Sequence, residues 1–144
     1  MLITQKKQYA LRAIFELAKR MGEGPVKSSE VADSQAIPAR FLEVILSQLK
    51  RKGLVASKRG FYGGYTLSRS PGQLTVGDVF RLLEDEDSQG DCVACKHKRD
   101  CPFFGDCVFL DMWDEVHSAM YRIYDRTTIR HLMESENARF SKPA

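Results

Sequence analysis

The sequence predicts a mostly α-helical chain with a small β-hairpin wing, in which a winged helix-turn-helix domain is followed by a long dimerisation helix. Two observations support this fold class. Three amphipathic helical patterns and a glycine-rich basic turn follow one another within about 70 residues, which is the element order of a winged helix-turn-helix. A second apolar repeat, at spacings of three and four, runs from Phe109 to Thr127 and is typical of a helix that pairs with another helix.

The composition indicates one globular domain without a membrane span. The chain has 144 residues, of which 43% are hydrophobic and 28% charged, the usual balance for a single folded unit. No apolar run approaches the roughly eighteen residues that a spanning helix needs. The first residues, MLITQKKQYALRA, lack the apolar core of a signal peptide. We therefore expect a cytoplasmic protein whose thiols stay reduced.

Charge divides the chain into two unlike halves. Residues 1–80 carry 13 Lys+Arg and 6 Asp+Glu, a net charge of +7, whereas residues 81–144 carry 9 and 13, a net charge of −4. A basic half suits a polyanionic partner, although scattered solvated faces would produce the same asymmetry.

The first two helices have recognisable ends. The first pattern covers residues 4–21, with Thr4 as its N-cap and Gly22 after its end. The second lies within VKSSEVADSQ, where Ser28 or Ser29 is the expected N-cap.

The third helix and the hairpin carry the basic residues. The helix begins with Pro38 in its first turn and stops at Gly53, and its expected inward residues are Phe41, Leu42, Ile45 and Leu49. Two β-prone runs, residues 54–57 and 65–67, then flank the glycine-rich turn. Phosphate contacts are expected from Lys50, Arg51, Lys52, Lys58 and Arg59. The alternative is a small α+β domain that binds no nucleic acid.

The rest of the chain contains a fourth helix, a cysteine segment and the long helix. Thr75 caps the fourth helix, and the acidic loop EDEDSQGD follows it. The long helix presents a seam that we assign to a dimer interface, with its own domain's core as the alternative partner: Phe109, Trp113, Val116, Met120 and Ile123. A short helix starting near Asp125 or Thr127 is expected next. The resulting division is 1–84 DNA-binding domain, 85–107 cysteine-rich loop, 108–134 dimerisation region and 135–144 frayed tail.

All four cysteines of the chain lie in the cysteine segment, residues 92–107, CVACKHKRDCPFFGDC. Thiolates are the usual ligands of iron–sulfur clusters, and four of them could equally hold zinc. The segment contains only one CxxC pair, whereas zinc sites commonly use two. A reducing compartment disfavours a structural disulfide but leaves a thiol or disulfide switch open.

Four stretches of the chain resemble the Rrf2 family of bacterial winged-helix transcription regulators. They are YALRAIFELA, IPARFLEVILSQLKRKGLV, SKRGFYGGYTLSR, and the cysteine segment with Trp113 after it. The most specific is the RGxxGGYxL pattern of the wing, which begins at Arg59. The resemblance covers nearly the whole chain and implies a homodimer on a pseudo-palindromic operator. It also implies that Arg40 and Glu43 face the major groove and that Arg59 enters the minor groove. An Arg can bind guanine and a Glu can accept from cytosine, while the negative potential of a narrow minor groove attracts an inserted Arg.

The resemblance further implies that Cys95, Cys101 and Cys107 hold an iron–sulfur cluster, [2Fe–2S] or [4Fe–4S]. The fourth ligand departs from the family, because Leu110 and Gln8 stand where some members place a histidine or an acidic residue. Cys92 is the simplest replacement, and the remaining alternatives are His97, Asp106, Asp111 and water.

The predicted function is a DNA-binding transcription regulator whose operator affinity is switched by an iron–sulfur cluster that senses redox state, nitric oxide or cluster supply. The alternative regulator uses zinc or a cysteine thiol/disulfide switch without a cluster. An electron-transfer protein would not explain the basic winged-helix half. An enzyme is not predicted, because His97, His117 and His131 are dispersed and form no catalytic constellation.

Overall fold

Six helices and a two-stranded antiparallel sheet make up the fold in the computed structural model, which describes residues 3–84, 101–103 and 105–141. In chain order the elements are α1 Gln5–Lys19, α2 Ser28–Gln35, α3 Ala39–Arg51, β1 Val55–Lys58, β2 Gly64–Leu67, α4 Val76–Leu83, α5 Leu110–Arg126 and α6 Ile129–Phe140. This order confirms the predicted fold class of a winged helix-turn-helix followed by a long helix.

Threonine side chains cap α1 and α4 as predicted. The Thr4 hydroxyl accepts a hydrogen bond from Lys7 N–H at 3.2 Å. Thr75 and Asp78 form a reciprocal pair at the start of α4, with both bonds at 3.0 Å. Each bond satisfies a backbone N–H that a bare helix end would leave unpaired, so both helix starts are fixed locally.

The predicted starts of α2 and α3 were wrong by one residue. Lys27, rather than Ser28 or Ser29, is the N-cap of α2, and its N–H donates to the Glu30 carboxylate at 3.1 Å. Because Glu30, in the first turn of α2, accepts the hydrogen bond at the start of the helix, neither serine hydroxyl is needed as a cap. Pro38 is likewise the N-cap of α3 and stands before its first turn.

The core is built from one face each of α1 to α4. Its largest fully buried side chains include Ile14, Leu17, Leu42, Leu46, Leu49, Leu54, Leu74 and Val79. The prediction that Phe41 points inward was wrong, because its side chain is 51% exposed. Leu46 completes the buried face instead, since its spacing of four from Leu42 and three from Leu49 matches the helical period.

The wing, residues 55–67, is held against the N-terminal half of the chain by an isolated β-bridge between Tyr65 and Val26. Tyr65 N–H donates to the Val26 carbonyl at 2.8 Å, and Val26 N–H donates back at 2.9 Å. Gly64 has φ +152°, and a Cβ there would collide with the Val26 carbonyl. Glycine at this position is therefore required by both conformation and space. The strands begin within one residue of their predicted positions.

The turn between α5 and α6 is tied to the winged-helix core. Val76 N–H donates to the Thr127 carbonyl, and Ile129 N–H donates to the Leu74 carbonyl, both at 2.9 Å. Ile129 is fully buried in the core, and α6 packs on α1. Thr128, not Asp125 or Thr127, is the N-cap of α6.

The predicted frayed tail from residue 135 differs from the structure. Helix α6 continues to Phe140, and Lys19 of α1 forms an ion pair with Glu136 at 3.5 Å. Because the packing of α6 on α1 supplies contacts that the sequence pattern did not reveal, the helix extends beyond its apolar start.

None of the helices in the described ranges combines the length and apolar character needed to cross a bilayer.

Glu16 is a charged residue buried in the described core, with 4% of its surface exposed. Arg20 Nε and Gln35 Nε2 donate to its carboxylate at 2.9 and 2.8 Å, and Lys19 Nζ lies 3.3 Å away. Burial alone would raise the pKa of Glu16, but the hydrogen bond from Gln35 and the interactions with Lys19 and Arg20 lower it below its ordinary value of 4.5. The carboxylate therefore joins α1 to the end of α2.

Replacing Glu16 with Gln should lower the free energy of unfolding by about 1–3 kcal/mol at neutral pH, because its buried partners lose a charged acceptor. The folded pKa lies below the unfolded one, so this contribution is present above about pH 4.5 and is lost as the pH falls through the folded pKa. The difference between wild type and Glu16→Gln should shrink on acidification. Urea unfolding at a series of pH values measures it.

The matched control is Glu23→Gln, because Glu23 is exposed and forms no ion pair among the residues described. We expect Glu23→Gln to match the wild type. Equal losses in the two variants, or a Glu16→Gln difference independent of pH, would contradict the assignment.

Candidate nucleic-acid interface and cysteine segment

The exposed side of α3 carries four of the predicted DNA-contact residues. We call this side the groove face; it consists of Arg40, Glu43, Val44, Ser47, Lys50 and Arg51, all solvent-exposed. Opposite it lie the buried Leu42, Ile45, Leu46 and Leu49. Because the buried face anchors α3 in the core, the groove face is presented outward on a rigid element.

The remaining predicted contacts come from Lys52, the exposed C-cap residue of α3, and from the wing. Lys58 ends β1 opposite Gly64, and Arg59 follows it at the start of the turn; both are exposed. Residues 44–77 contain six Lys or Arg and no Asp or Glu. Among the described residues, Arg59 and the groove face form no ion pair. The positive charge of this surface is therefore available to an external polyanion.

Three residues of this surface were missed by the sequence analysis. Val44 and Ser47 lie on the same stripe of α3 as Arg40, at spacings of four and three, so helical periodicity could have identified them. Lys27 lies 4.9 Å from the ring centre of Phe61 at the wing tip. No local sequence signal indicates that contact, because it joins residues far apart in the chain.

Helix α5 leaves an apolar stripe uncovered. Of the predicted dimer residues, Phe109, Val116 and Ile123 are exposed, and Trp113 and Met120 are half-buried. Met112, which the prediction omitted, is also exposed on this helix. The α5 stripe is defined as Phe109, Met112, Trp113, Val116, Met120 and Ile123. It is available to a partner because the side of α5 that carries Tyr121 packs on α4 instead.

Arg81 and Asp125 join α4 to α5. The guanidinium donates two hydrogen bonds to the carboxylate, each at 2.6 Å, and these bonds, together with its charge, lower the pKa of Asp125. The carboxylate occupies the space where a Cβ at Gly77 would stand. The two helices can approach this closely because position 77 has no side chain.

Glu84 forms a second polar contact at the same junction. It accepts hydrogen bonds from Lys7 of α1, at 2.9 Å, and from the Tyr121 hydroxyl of α5. Burial alone would raise the pKa of Glu84, but these hydrogen bonds lower it. Burial and the Glu84 carboxylate both raise the pKa of Tyr121, which keeps its hydroxyl a donor. The polar junction, defined as Lys7, Arg81, Glu84, Tyr121 and Asp125, thus fixes α1, α4 and α5 together.

Two of the four cysteines lie in described parts of the chain. Cys101 and Cys107 are free, half-buried thiols that precede α5. Between them, Asp106 N–H donates to the Phe103 carbonyl at 3.0 Å, and Gly105 adopts φ +96°. The two thiols are partly exposed and flank this turn, which suits thiolate ligation of a metal.

The predicted ligands Cys92 and Cys95 lie outside the described residues. Within the described ranges, no group of three His, Cys, Asp or Glu side chains is placed to share a metal ion. The donor chemistry of Cys101 and Cys107 fits an iron–sulfur site, and it also fits zinc or a reversible disulfide.

Comparison with known proteins shows similarity over almost the full length. The family model described as Rrf2, iron-dependent transcriptional regulator, matches residues 3–135. The chain is 34% identical over 132 residues to the transcriptional regulator CymR of Bacillus subtilis, covering 92% of this chain and 89% of the relative. It is 30% identical over 136 residues to the transcriptional regulator IscR of Cronobacter sakazakii, covering 94% and 82%.

Solved structures share the fold. The T. potens IscR structure superposes with a TM-score of 0.81 at 28% identity, over 100% of this chain and 94% of that one. The B. subtilis CymR structure, described as that of the global cysteine regulator, superposes with a TM-score of 0.74 at 32% identity, over 94% and 98%.

Proposed function

Because the chain belongs to the Rrf2 family of transcription regulators, we propose that it binds a pseudo-palindromic operator as a homodimer whose affinity is set by an iron–sulfur cluster on the cysteine segment. The family comprises DNA-binding regulators, so the predicted absence of enzymatic activity is confirmed. The observation that carries the DNA-binding part is the set of exposed cations on α3 and the wing, within a stretch of the chain, residues 44–77, that contains no acidic residue: Lys50, Arg51, Lys58 and Arg59.

The two elements of this surface have different tasks at a duplex. Arg40 and Glu43 stand at the N-terminal end of the groove face, the part of a recognition helix that contacts base edges. Arg can bind guanine O6 and N7, and Glu can accept from cytosine N4. Arg59 begins the wing turn and is free to enter a narrow minor groove. Lys50 and Lys58 supply phosphate contacts that set affinity but not sequence.

A homodimer is supported by the uncovered α5 stripe. Exposed large apolar side chains along one helix represent surface that association would remove from water, at roughly 1.5–3 kcal/mol for each fully buried side chain. A two-fold axis along α5 would bring the stripe of one chain onto that of its partner. The two groove faces would then address successive half-sites about one helical turn apart.

The cluster is assigned to Cys95, Cys101 and Cys107, with Cys92 as the fourth ligand. Support comes from the accessible thiols of Cys101 and Cys107 and from similarity to a family described as iron-dependent. When bound, the cluster supplies a centre that is sensitive to redox state, nitric oxide and cluster supply, and its loss frees the thiolates that ligate it.

The polar junction supports a coupling between the cysteine segment and the DNA-binding surface. In the sequence, the cysteine segment lies between Glu84, at the end of α4, and Leu110, where α5 begins. Glu84 contacts both α1 and α5, so the segment is attached at a point where three helices meet. We propose that ordering of this segment acts through Glu84, by altering the contacts that help to set the direction of α5 and with it the spacing of the two groove faces.

A second candidate switch uses the same cysteines without a cluster. Cys101 and Cys107 are free thiols on either side of one turn, and the similar B. subtilis protein CymR is described as a cysteine regulator. Zinc ligation or a reversible disulfide would order the segment by a comparable cross-link. The chemistry of the isolated protein separates these alternatives.

Replacing Arg59 with Ala should weaken operator binding and reduce the slope of log K against log salt by about one, because one phosphate-proximal cation is lost. Glu43→Ala should instead relax base choice at one position per half-site, with discrimination falling by about 1–3 kcal/mol. The probe is a duplex enriched from a random library by the wild-type chain, titrated by fluorescence anisotropy at several salt concentrations.

The control for this series is Arg139→Ala, which removes an exposed cation from α6. It should leave both slope and base choice unchanged. Wild-type protein that enriches no duplex over competitor DNA would refute the proposed function. Unchanged binding by Arg59→Ala and Glu43→Ala would refute only these residue assignments.

Replacing Ile123 with Glu should convert a dimer into monomers. Across a two-fold interface the substitution occurs twice, so the dimer should lose about 3–6 kcal/mol of binding free energy. This loss corresponds to a rise of the dissociation constant by roughly 10²- to 10⁴-fold. Sedimentation velocity at micromolar concentration measures it. Phe140→Glu is the control, since Phe140 is exposed on α6 and outside the α5 stripe. A wild type that sediments as a monomer would exclude the proposed dimer.

Replacing Cys101 with Ala should abolish cluster binding and shift operator affinity to the apo value. A coupling of about 1–3 kcal/mol corresponds to about 5–150-fold. Anaerobically purified wild type should be coloured and contain iron and sulfide, and Mössbauer spectra distinguish [2Fe–2S] from [4Fe–4S]. Cys92→Ala should have the same effect as Cys101→Ala if Cys92 is the fourth ligand, whereas His97→Ala should not.

Three outcomes separate the cluster from its alternatives. Colourless protein with one zinc per chain favours the zinc switch. Colourless, metal-free protein whose affinity changes on thiol oxidation favours the disulfide switch. Equal affinities for holo, apo and Cys101→Ala protein would show that the segment does not regulate DNA binding.

A further inference from the structure

The tip of the wing presents two aromatic side chains to solvent. Phe61 is 78% exposed and Tyr62 is 83% exposed. They occupy the two central positions of the turn between Gly60 and Gly63, which is closed by a 3.0 Å hydrogen bond from Gly63 N–H to the Gly60 carbonyl. Because residues at these positions project from the end of a hairpin, neither ring can pack into the core of its own chain.

The two rings support each other. Their centroids are 5.0 Å apart and their planes meet at 87°, an edge-to-face arrangement. The Lys27 ammonium lies 4.9 Å from the centre of the Phe61 ring. Phe61 is therefore held by an aromatic contact and a cation contact, which limits the rotamers available to an otherwise exposed side chain.

Three cationic side chains lie close to this aromatic tip. Lys58 and Arg59 directly precede the turn, Lys27 lies beside it, and no acidic residue occurs between positions 44 and 77. An apolar tip flanked by cations fits a partner whose surface is anionic and whose interior contains flat apolar groups. Duplex DNA has this combination at its minor groove, where phosphates flank the stacked base edges.

We propose that Phe61, braced by Tyr62, inserts as an apolar wedge between base pairs in the minor groove beside Arg59. This inference rests on the proposed DNA binding and adds a source of specificity to it. Inserting an apolar side chain partly unstacks one base step and bends the duplex. Pyrimidine–purine steps such as TA and CA/TG unstack most easily, so the wedge selects sites with such a step under each wing without a hydrogen bond to any base.

A wedge and a cation affect salt dependence differently. Phe61 carries no charge, so Phe61→Ala should reduce affinity at every salt concentration while leaving the slope of log K against log salt unchanged. We expect a loss of about 5- to 150-fold, the range associated with aromatic stacking on bases. Arg59→Ala provides the contrast, because it should change the slope.

The experiment uses the full-length chain and the duplex that the wild type enriches from a random library. 2-Aminopurine is placed in turn at each step of the wing-proximal region, and DNA bending is followed by energy transfer between end labels. Wild type should increase 2-aminopurine fluorescence at one step and bend the duplex. Phe61→Ala should lose both signals, and Phe61→Leu should retain part of them. Phe140→Ala, which truncates an equally exposed phenylalanine on α6, should behave as wild type.

The outcomes distinguish this inference from the proposed function. Equal affinity, bending and 2-aminopurine signal for wild type and Phe61→Ala would overturn the wedge while leaving DNA binding intact. A wild type that enriches no duplex would overturn both. Binding to vesicles of phosphatidylserine and phosphatidylcholine that Phe61→Ala abolishes, with DNA affinity unchanged, would assign the tip to a lipid surface and overturn the wedge. Equal thermal melting of all variants confirms that only the contact has changed.

Discussion

The close packing of α5 on α4 is the constraint on which the relation between the two halves of the chain depends. The Asp125 carboxylate occupies the space that any side chain at Gly77 would need, and Arg81 donates two hydrogen bonds to that carboxylate. Paired hydrogen bonds fix rotation as well as distance, whereas an apolar contact alone would let the helices slide. Glu84 adds a second polar contact, so the direction of α5 is set by α1 and α4, both of which pack on α3.

The fold separates three kinds of contact in space. Cations of α3 and the wing face outward without acidic partners in the described structure, which suits long-range attraction to phosphates. The apolar α5 stripe lies on a different element, so the proposed dimer and the proposed DNA contact would use different side chains. The polar junction lies between them, where a rearrangement of one contact surface can be transmitted to the other.

The sequence predicted elements whose signals are local and missed those that depend on distant partners. Thr4 and Thr75 were correctly identified as caps because a capping hydroxyl acts within three residues. Phe41 was placed inward because the start of an amphipathic helix fits two adjacent registers, and packing selected the one with Leu46. Arg81 and Asp125 could not have been paired from the sequence, since they are 44 positions apart and exposed polar residues carry no periodic signal.

Because Ile129 is buried in the core of the winged helix, we do not expect residues 1–84 to fold stably without the start of α6. The first residue of α6 fills the core that α1 to α4 enclose, and backbone hydrogen bonds join it to Leu74. A fragment that ends after α4 would keep every proposed DNA-contact residue, yet it would leave an apolar cavity where Ile129 packs, at a cost comparable to a large-to-small core substitution. The winged helix and the start of α6 therefore belong to one folding unit. A chimaera that grafts this winged helix onto another regulator must carry the start of α6 with it.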